Sequence, residues 1–153
     1  MKKVLLASSI IFLCAQAYAD DAGHKPKACK NSDMNGDWVA YQAEVLKNPH
    51  TGVCAFAVSK GEISEGSCDF SLKDADGNEL AALRFNGTAT VNKDCSATLT
   101  MDFRPYGRPF ISTFEIQLAT DRQSYVGRWH NTFGALGPTN GVKKFKQLSN
   151  MDD

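Results

Sequence analysis

Arg104, Tyr106 and Arg108 stand at alternate positions in RPYGRP, residues 104–109, where Pro105 and Pro109 restrict the backbone. Two guanidiniums flanking a phenol can hold a carboxylate, a phosphate or an acidic protein surface, because guanidinium donors match paired oxygen acceptors. A second run, GRWHN at 127–131, places Arg128, Trp129 and His130 in succession. In an extended chain Trp129 faces away from its two neighbours. Pointing inward it lines or fills a core; pointing outward near a rim it anchors a partner. The plain readings are a Pro/Gly turn with solvated arginines and a tryptophan that simply fills the interior. Arg104, Tyr106, Arg108, Trp129 and His130 are the candidate binding residues.

Catalytic chemistry finds less support. Gly-x-Ser-x-Gly and His-Glu-x-x-His are absent, and no free cysteine stands in a Cys/His arrangement. His130 is a lone histidine without a placed nucleophile. Asp102 and Glu115 sit within outward-facing polar alternation, which a solvated exterior explains. DADGNE, residues 74–79, lacks the longer oxygen series of a calcium loop, and its Asp76-Gly77 reads as a hairpin turn. NPHTG, 48–52, reads as a turn that exposes His50. FGALGPTNG, 133–141, lacks the Gly-Lys-Ser/Thr ending of a phosphate loop and reads as a flexible lid or loop. No cofactor and no metal are expected.

The chain opens MKKVLLASSIIFLCAQAYADD, with a basic pair, a short apolar run and Ala17-Tyr18-Ala19. That is the pattern of a bacterial export signal over 1–19, cleaved after Ala19. No later stretch is apolar enough for a membrane-spanning helix, so an exported, soluble product of the periplasm or medium is expected, without membrane insertion. Removing residues 1–19 from 153 leaves about 134, enough for one domain with a core. The full chain carries 17 basic and 17 acidic residues, and losing Lys2 and Lys3 brings the net charge to about −2. Such a balance argues against nucleic acid as the partner. Cys14 leaves with the signal. Cys29, Cys54, Cys68 and Cys95 remain, an even set that reads as two disulfides in an exported protein.

Beyond the signal, period-two alternation dominates. Eight strands are expected at 36–43, 53–60, 62–72, 79–91, 95–103, 109–119, 124–130 and 141–148, in a domain spanning 35–150 behind a tail at 20–34. Tight connections at 60–61, 92–94 and 120–123 alternate with longer ones at 44–52, 73–78, 104–108 and 131–140. In a meander, alternate connections lie at opposite ends. Short turns therefore gather at a base and long loops at a mouth, as in an all-β, eight-stranded antiparallel up-and-down barrel. A β-sandwich is the alternative. Within this frame a three-residue connection at Lys60–Glu62 sets Cys54 opposite Cys68 on apolar strand faces, and Cys29 and Cys95 both fall at the base. Of the three possible pairings, only Cys54–Cys68 with Cys29–Cys95 joins cysteines at a common end.

NGDWVAY, 35–41, starts the first strand with Gly36-x-Trp38. That motif on a barrel meander resembles the calycin group of lipocalins, avidins and small periplasmic inhibitors. The resemblance implies that Trp38 packs at the closed end near a basic residue of the last strand, Lys143 or Lys144. It also implies a binding protein. Two forms of binding are expected. Either the rim loops dock onto another protein, or a small apolar ligand enters an interior lined by Phe56, Phe70, Phe85, Met101, Phe114 and Trp129. The number of inward phenylalanines favours a filled barrel and hence the protein partner. An enzyme with a shallow rim site around Arg104, Tyr106 and His130 is the third reading.

Overall fold

The alternation is carried by eight strands: β1 Gly36–Glu44, β2 His50–Ser59, β3 Glu62–Phe70, β4 Leu83–Val91, β5 Ser96–Phe103, β6 Phe110–Leu118, β7 Ser124–Asn131 and β8 Leu136–Lys143. The computed structural model describes residues 27–73, 76–104 and 110–144. The signal over 1–19, the start of the tail, Tyr106, Arg108 and the segment from 145 onward lie outside the described residues. Each strand pairs antiparallel with the next, and β8 returns to β1, with Trp38 opposite Lys143 and Gln42 opposite Thr139. Closure excludes the sandwich alternative and leaves no strand edge unpaired. Among the described residues no helix is long and apolar enough to cross a membrane.

One face of every strand fills the barrel. Phe56, Phe85, Leu99, Met101, Phe103, Phe114, Ile116, Leu118, Tyr125 and Trp129 are all buried. Large rings fit because small residues face them across the ladder. Gly52 pairs with Phe70, Gly66 with Phe85 and Gly141 with Tyr125. A methyl carbon added at Gly66 would lie 2.4 Å from the Phe85 ring, and one at Gly141 would lie 2.3 Å from Tyr125. Each ring thus lies down over the strand beside it, and glycine is what makes room.

The same pairs overturn one expectation. The last strand runs Leu136–Lys143 and not 141–148, so 133–141 is no lid. Its glycine, proline and asparagine content imitates a loop. Gly141 is instead the position beneath Tyr125, Gly137 lies against the Ala43 carbonyl of β1, and Pro138 falls just past the last β1–β8 pair, Gln42–Thr139, where its missing N–H breaks no ladder bond to β1. The final mouth connection shrinks to residues 132–135. Asn131 pins it: its Oδ1 accepts the N–H of Phe133 and of Ala135, each at 3.0 Å. Three mouth connections are long and the fourth is a tight turn.

Both disulfides join the expected partners, Cys29–Cys95 and Cys54–Cys68. The register behind the second differs from the expected one. Lys60 and Gly61, at φ 53° and 85°, form a two-residue hairpin turn, with Ser59 opposite Glu62. That turn alone would set the cysteines out of register. A bulge around Glu65, itself at φ 53°, inserts the missing residue and restores Cys54 opposite Cys68. The bridge is fully buried in the wall. β2 begins earlier than expected, at His50, and β4 later, at Leu83. The Asp76-Gly77 turn lies within an excursion closed by a Lys73–Glu79 bridge, with Gly77 at φ 83°.

At the base, the segment before β1 forms a short 3-10 turn, Asn31–Met34, that seats the fully buried Met34 under the barrel. Trp38 Nε1–H donates to the Met34 carbonyl at 2.7 Å. The Lys143 ammonium sits 5.1 Å from the Trp38 ring centroid and donates to the Asp33 carbonyl at 2.9 Å. Burial lowers the pKa of Lys143, and the Asp33 charge works against that. Arg122 joins Asp33 at 3.3 Å and donates to the carbonyls of Thr120 and Lys27 at 2.8 and 2.6 Å. Of the two basic residues considered for Trp38, Lys143 is the one over the ring.

Candidate binding rim

Glu44 ends β1 in the inward phase of Trp38, Ala40 and Gln42, and its residue is buried. A lone carboxylate there would be costly, and the chain solves this by wrapping the following loop around it. Oε1 accepts the N–H of Leu46 at 2.9 Å and of Lys47 at 3.0 Å, while Oε2 accepts that of Asn48 at 2.6 Å. These donors, Lys47 foremost, hold the carboxyl below its ordinary value. The loop they fix turns Val45 and Leu46 outward. Val45 N–H donates to the Leu136 carbonyl at 3.3 Å, and Lys47 Nζ to the Phe133 carbonyl at 3.3 Å. The first and last mouth connections are thereby joined. Val45, Leu46, Phe133 and Leu136 are 53, 60, 64 and 43% exposed, and together they form an apolar patch on the rim.

Under this patch the barrel is closed by rings. Phe133 stands 5.3 Å from Phe110, Phe110 5.1 Å from Phe103, and Phe103 4.8 Å from Phe85. Phe85 leads on to Phe56 at 6.1 Å, and Phe70 reaches both Phe103 at 6.3 Å and His50 at 5.6 Å. An aromatic series therefore runs from the solvent-facing rim to the middle of the barrel.

Of the candidate binding residues, Trp129 and His130 point to opposite faces of the barrel wall. Trp129 points inward, 2% exposed, stacked on Phe114 at 6.3 Å with its Nε1–H donating to the Ala43 carbonyl at 3.2 Å. His130, next in the chain, points outward beside Thr113 and Leu136. Arg104 leaves the end of β5 and pairs through its Nε and NH2 with Asp102 Oδ2, at 3.2 and 2.8 Å. Glu115 is likewise ion-paired on the exterior, with Arg128. Tyr106 and Arg108 lie outside the described residues. Among the described residues no cluster of His, Cys, Asp or Glu has the arrangement of a metal site.

Sequence reasoning passed over Glu44, Val45 and Leu46, although Glu44 was marked by phase: it extends the inward series of β1. Phe133 and Leu136 fall in the segment expected as a lid or loop, whose exposed apolar side chains the sequence does mark.

No family model matches the chain, and no curated protein matches it in sequence. Solved structures that share the fold include two redesigned barrels. One is the redesigned beta barrel b11L5F_LGL, at TM-score 0.52 and 12% identity, covering 77% of this chain and 97% of its own. The other is the redesigned beta barrel mFAP1 bound to DFHBI, at TM-score 0.52 and 13% identity, covering 75% of this chain and 98% of its own. At this identity the likeness concerns fold: a closed eight-stranded antiparallel up-and-down barrel.

Proposed function

We propose that this chain is an exported, non-catalytic binding protein of calycin type whose barrel is a filled scaffold and whose mouth rim docks onto a protein partner. The observation that carries this reading is the ring series from Phe133 through Phe110, Phe103 and Phe85 to Phe56. Rings packed along the interior take the volume that a carried ligand needs, while the exposed end of the same series offers an apolar anchor. Lys47 sets a cation beside that anchor, its Nζ donating to the Phe133 carbonyl, and the sequence supplies Arg104, Tyr106 and Arg108 between β5 and β6. An acidic, apolar-centred protein surface fits this combination. His130 flanks the rim on the outer side of β7, and Trp129 supports it from within. The Gly36-x-Trp38 motif beneath Lys143 supports the calycin assignment, and the two disulfides suit an oxidising compartment. The mFAP1 barrel bound to DFHBI motivates the second reading, a small apolar ligand inside the barrel. Such a ligand would have to displace packed rings.

Native mass spectrometry of protein isolated from its own periplasm or medium separates the two. The bare oxidised chain is expected. A photo-crosslinking residue replacing Phe133 is expected to capture a discrete protein in those cells, and one replacing Thr100 is not. A stoichiometric small-molecule mass would overturn the reading in favour of the carrier.

A further inference from the structure

We propose that Glu44 is the positioning residue of the rim: its carboxylate holds the 45–48 loop against the 132–135 turn in the arrangement that a partner docks onto, and loss of its charge releases the partner. This rests on the rim reading and adds a regulation to it. Residues 45–49 are all exposed, so no side chain of the loop is buried to fix its course. Its ends are tied by the Val45 N–H to the Leu136 carbonyl and by the His50 ring, whose Nδ1 bonds the Asn48 carbonyl at 2.6 Å. Between those ends the N–H groups of Leu46, Lys47 and Asn48 turn onto one side chain, Glu44.

Three converging donors demand a charged acceptor. A carboxylate offers two oxygens with about four acceptor sites and carries no hydrogen of its own. Protonated, it places an O–H on an oxygen that an N–H already faces. Glutamine keeps the shape but sets an NH2 group there, against the Asn48 N–H or against those of Leu46 and Lys47. Hydrogen bonds to an ionised acceptor are also the stronger kind. The loop is therefore fastened by the charge of the carboxylate and not by the length of the side chain.

Lys47 carries that order across to the last connection. Its Nζ reaches the Phe133 carbonyl, and Gly134, at φ 78°, leaves it room: a methyl carbon there would lie 3.0 Å from Nζ. Asn131 shapes the turn from within, and Lys47 sets where the loop lies against it. Among the described residues the charged or titratable groups facing Glu44 are Lys47 from the loop and His50, opposite it on β2. The 132–135 turn and Leu136–Val142 of β8 bring none. The loop donors, Lys47 foremost, hold the carboxyl below its ordinary value. The fastening is thus complete at neutral pH and is lost as pH falls through that depressed value.

The photo-crosslinking residue at Phe133 supplies the test, in a periplasmic extract of the protein's own cells brought stepwise from neutral to about pH 3. Capture of the partner by the otherwise wild-type chain is expected at neutral pH and should fall on acidification. Glu44→Gln should lower capture at neutral pH by at least about tenfold, the equivalent of one lost hydrogen bond to a charged group, and should leave it independent of pH. His50→Gln should keep the wild-type profile, which separates the carboxylate from the neighbouring imidazole. Circular dichroism at each pH confirms the fold. Should Glu44→Gln not fold, the wild-type and His50→Gln profiles decide alone. Equal capture by Glu44→Gln, capture that acid leaves unchanged, or an acid response that His50→Gln removes would overturn the proposal and leave the docking rim standing. No capture by the wild-type chain at any pH would overturn the rim reading, and this proposal with it.

Discussion

The two ends of the barrel close in different ways. At the base the polar and charged groups are turned to fastening the chain to itself: Lys143 on Trp38 and Asp33, Arg122 on Asp33 and Lys27, Asn31 Oδ1 on the Val91 N–H at 2.8 Å, and Cys29 on Cys95. At the mouth the closure comes from inside, by stacked rings, and the outermost members stay in solvent. Phe133 is 64% exposed where Trp38 is fully buried. A large ring at the base is therefore a stabilising element, while a large ring at the mouth is available to a partner.

Substitutions at the two ends should break stability and recognition separately. The largest effect belongs to the base. Trp38→Ala removes a fully buried ring and should cost about 3–5 kcal/mol in chemical unfolding. Replacing Cys29 and Cys95 together by serine opens a long loop closure and should cost roughly 2–5 kcal/mol, again without altering the rim. Gly141→Ala should cost about 1–3 kcal/mol, because its methyl meets the Tyr125 ring and forces it to move. Phe133→Asp should change stability by no more than about 0.5 kcal/mol, as exposed positions usually do, and yet abolish capture at the rim. If Phe133→Asp unfolds the protein, the functional contrast between the ends fails.

The smallest effect is a pH dependence at the mouth. The N–H groups of Lys47, Asn48 and Leu46 hold the Glu44 carboxyl below its ordinary value. A depressed folded-state pKa means that the stabilisation is in place above the unfolded-state value and is lost as pH falls through the folded one. Amide protection at Leu46, Lys47 and Asn48, corrected for intrinsic exchange, should decline on acidification while the Lys143 amide bonded to the Gln123 carbonyl at the base holds. Glu44→Gln should remove the difference between the ends.

Much of the scaffold was legible in the sequence because it rests on local period. Alternation placed β1 through β7 and their inward residues, and the turn pattern set Cys29 with Cys95 at one end. Cys54 and Cys68 were paired correctly on an incorrect register, since a hairpin turn one residue shorter than expected is offset by a bulge at Glu65 that no period reveals. β8 was misplaced because glycine has two physical uses. As a turn residue it advertises itself locally, whereas against the Ala43 carbonyl or beneath Tyr125 its reason lies on the neighbouring strand. Which connections join at the rim was hidden for a related cause. Val45 and Leu136 are remote in sequence, and the Val45 N–H reaches the Leu136 carbonyl only because β8 closes onto β1.

The central claim is that the interior is filled and that recognition takes place outside it. Met101 is fully buried on β5 in the inward phase of Leu99 and Phe103, so its methyl group reports on the interior directly. Its carbon-13 methyl resonance should stay in place as a long-chain fatty acid or DFHBI is added in excess. A saturable one-to-one shift of that resonance would place the ligand among the rings and contradict the account.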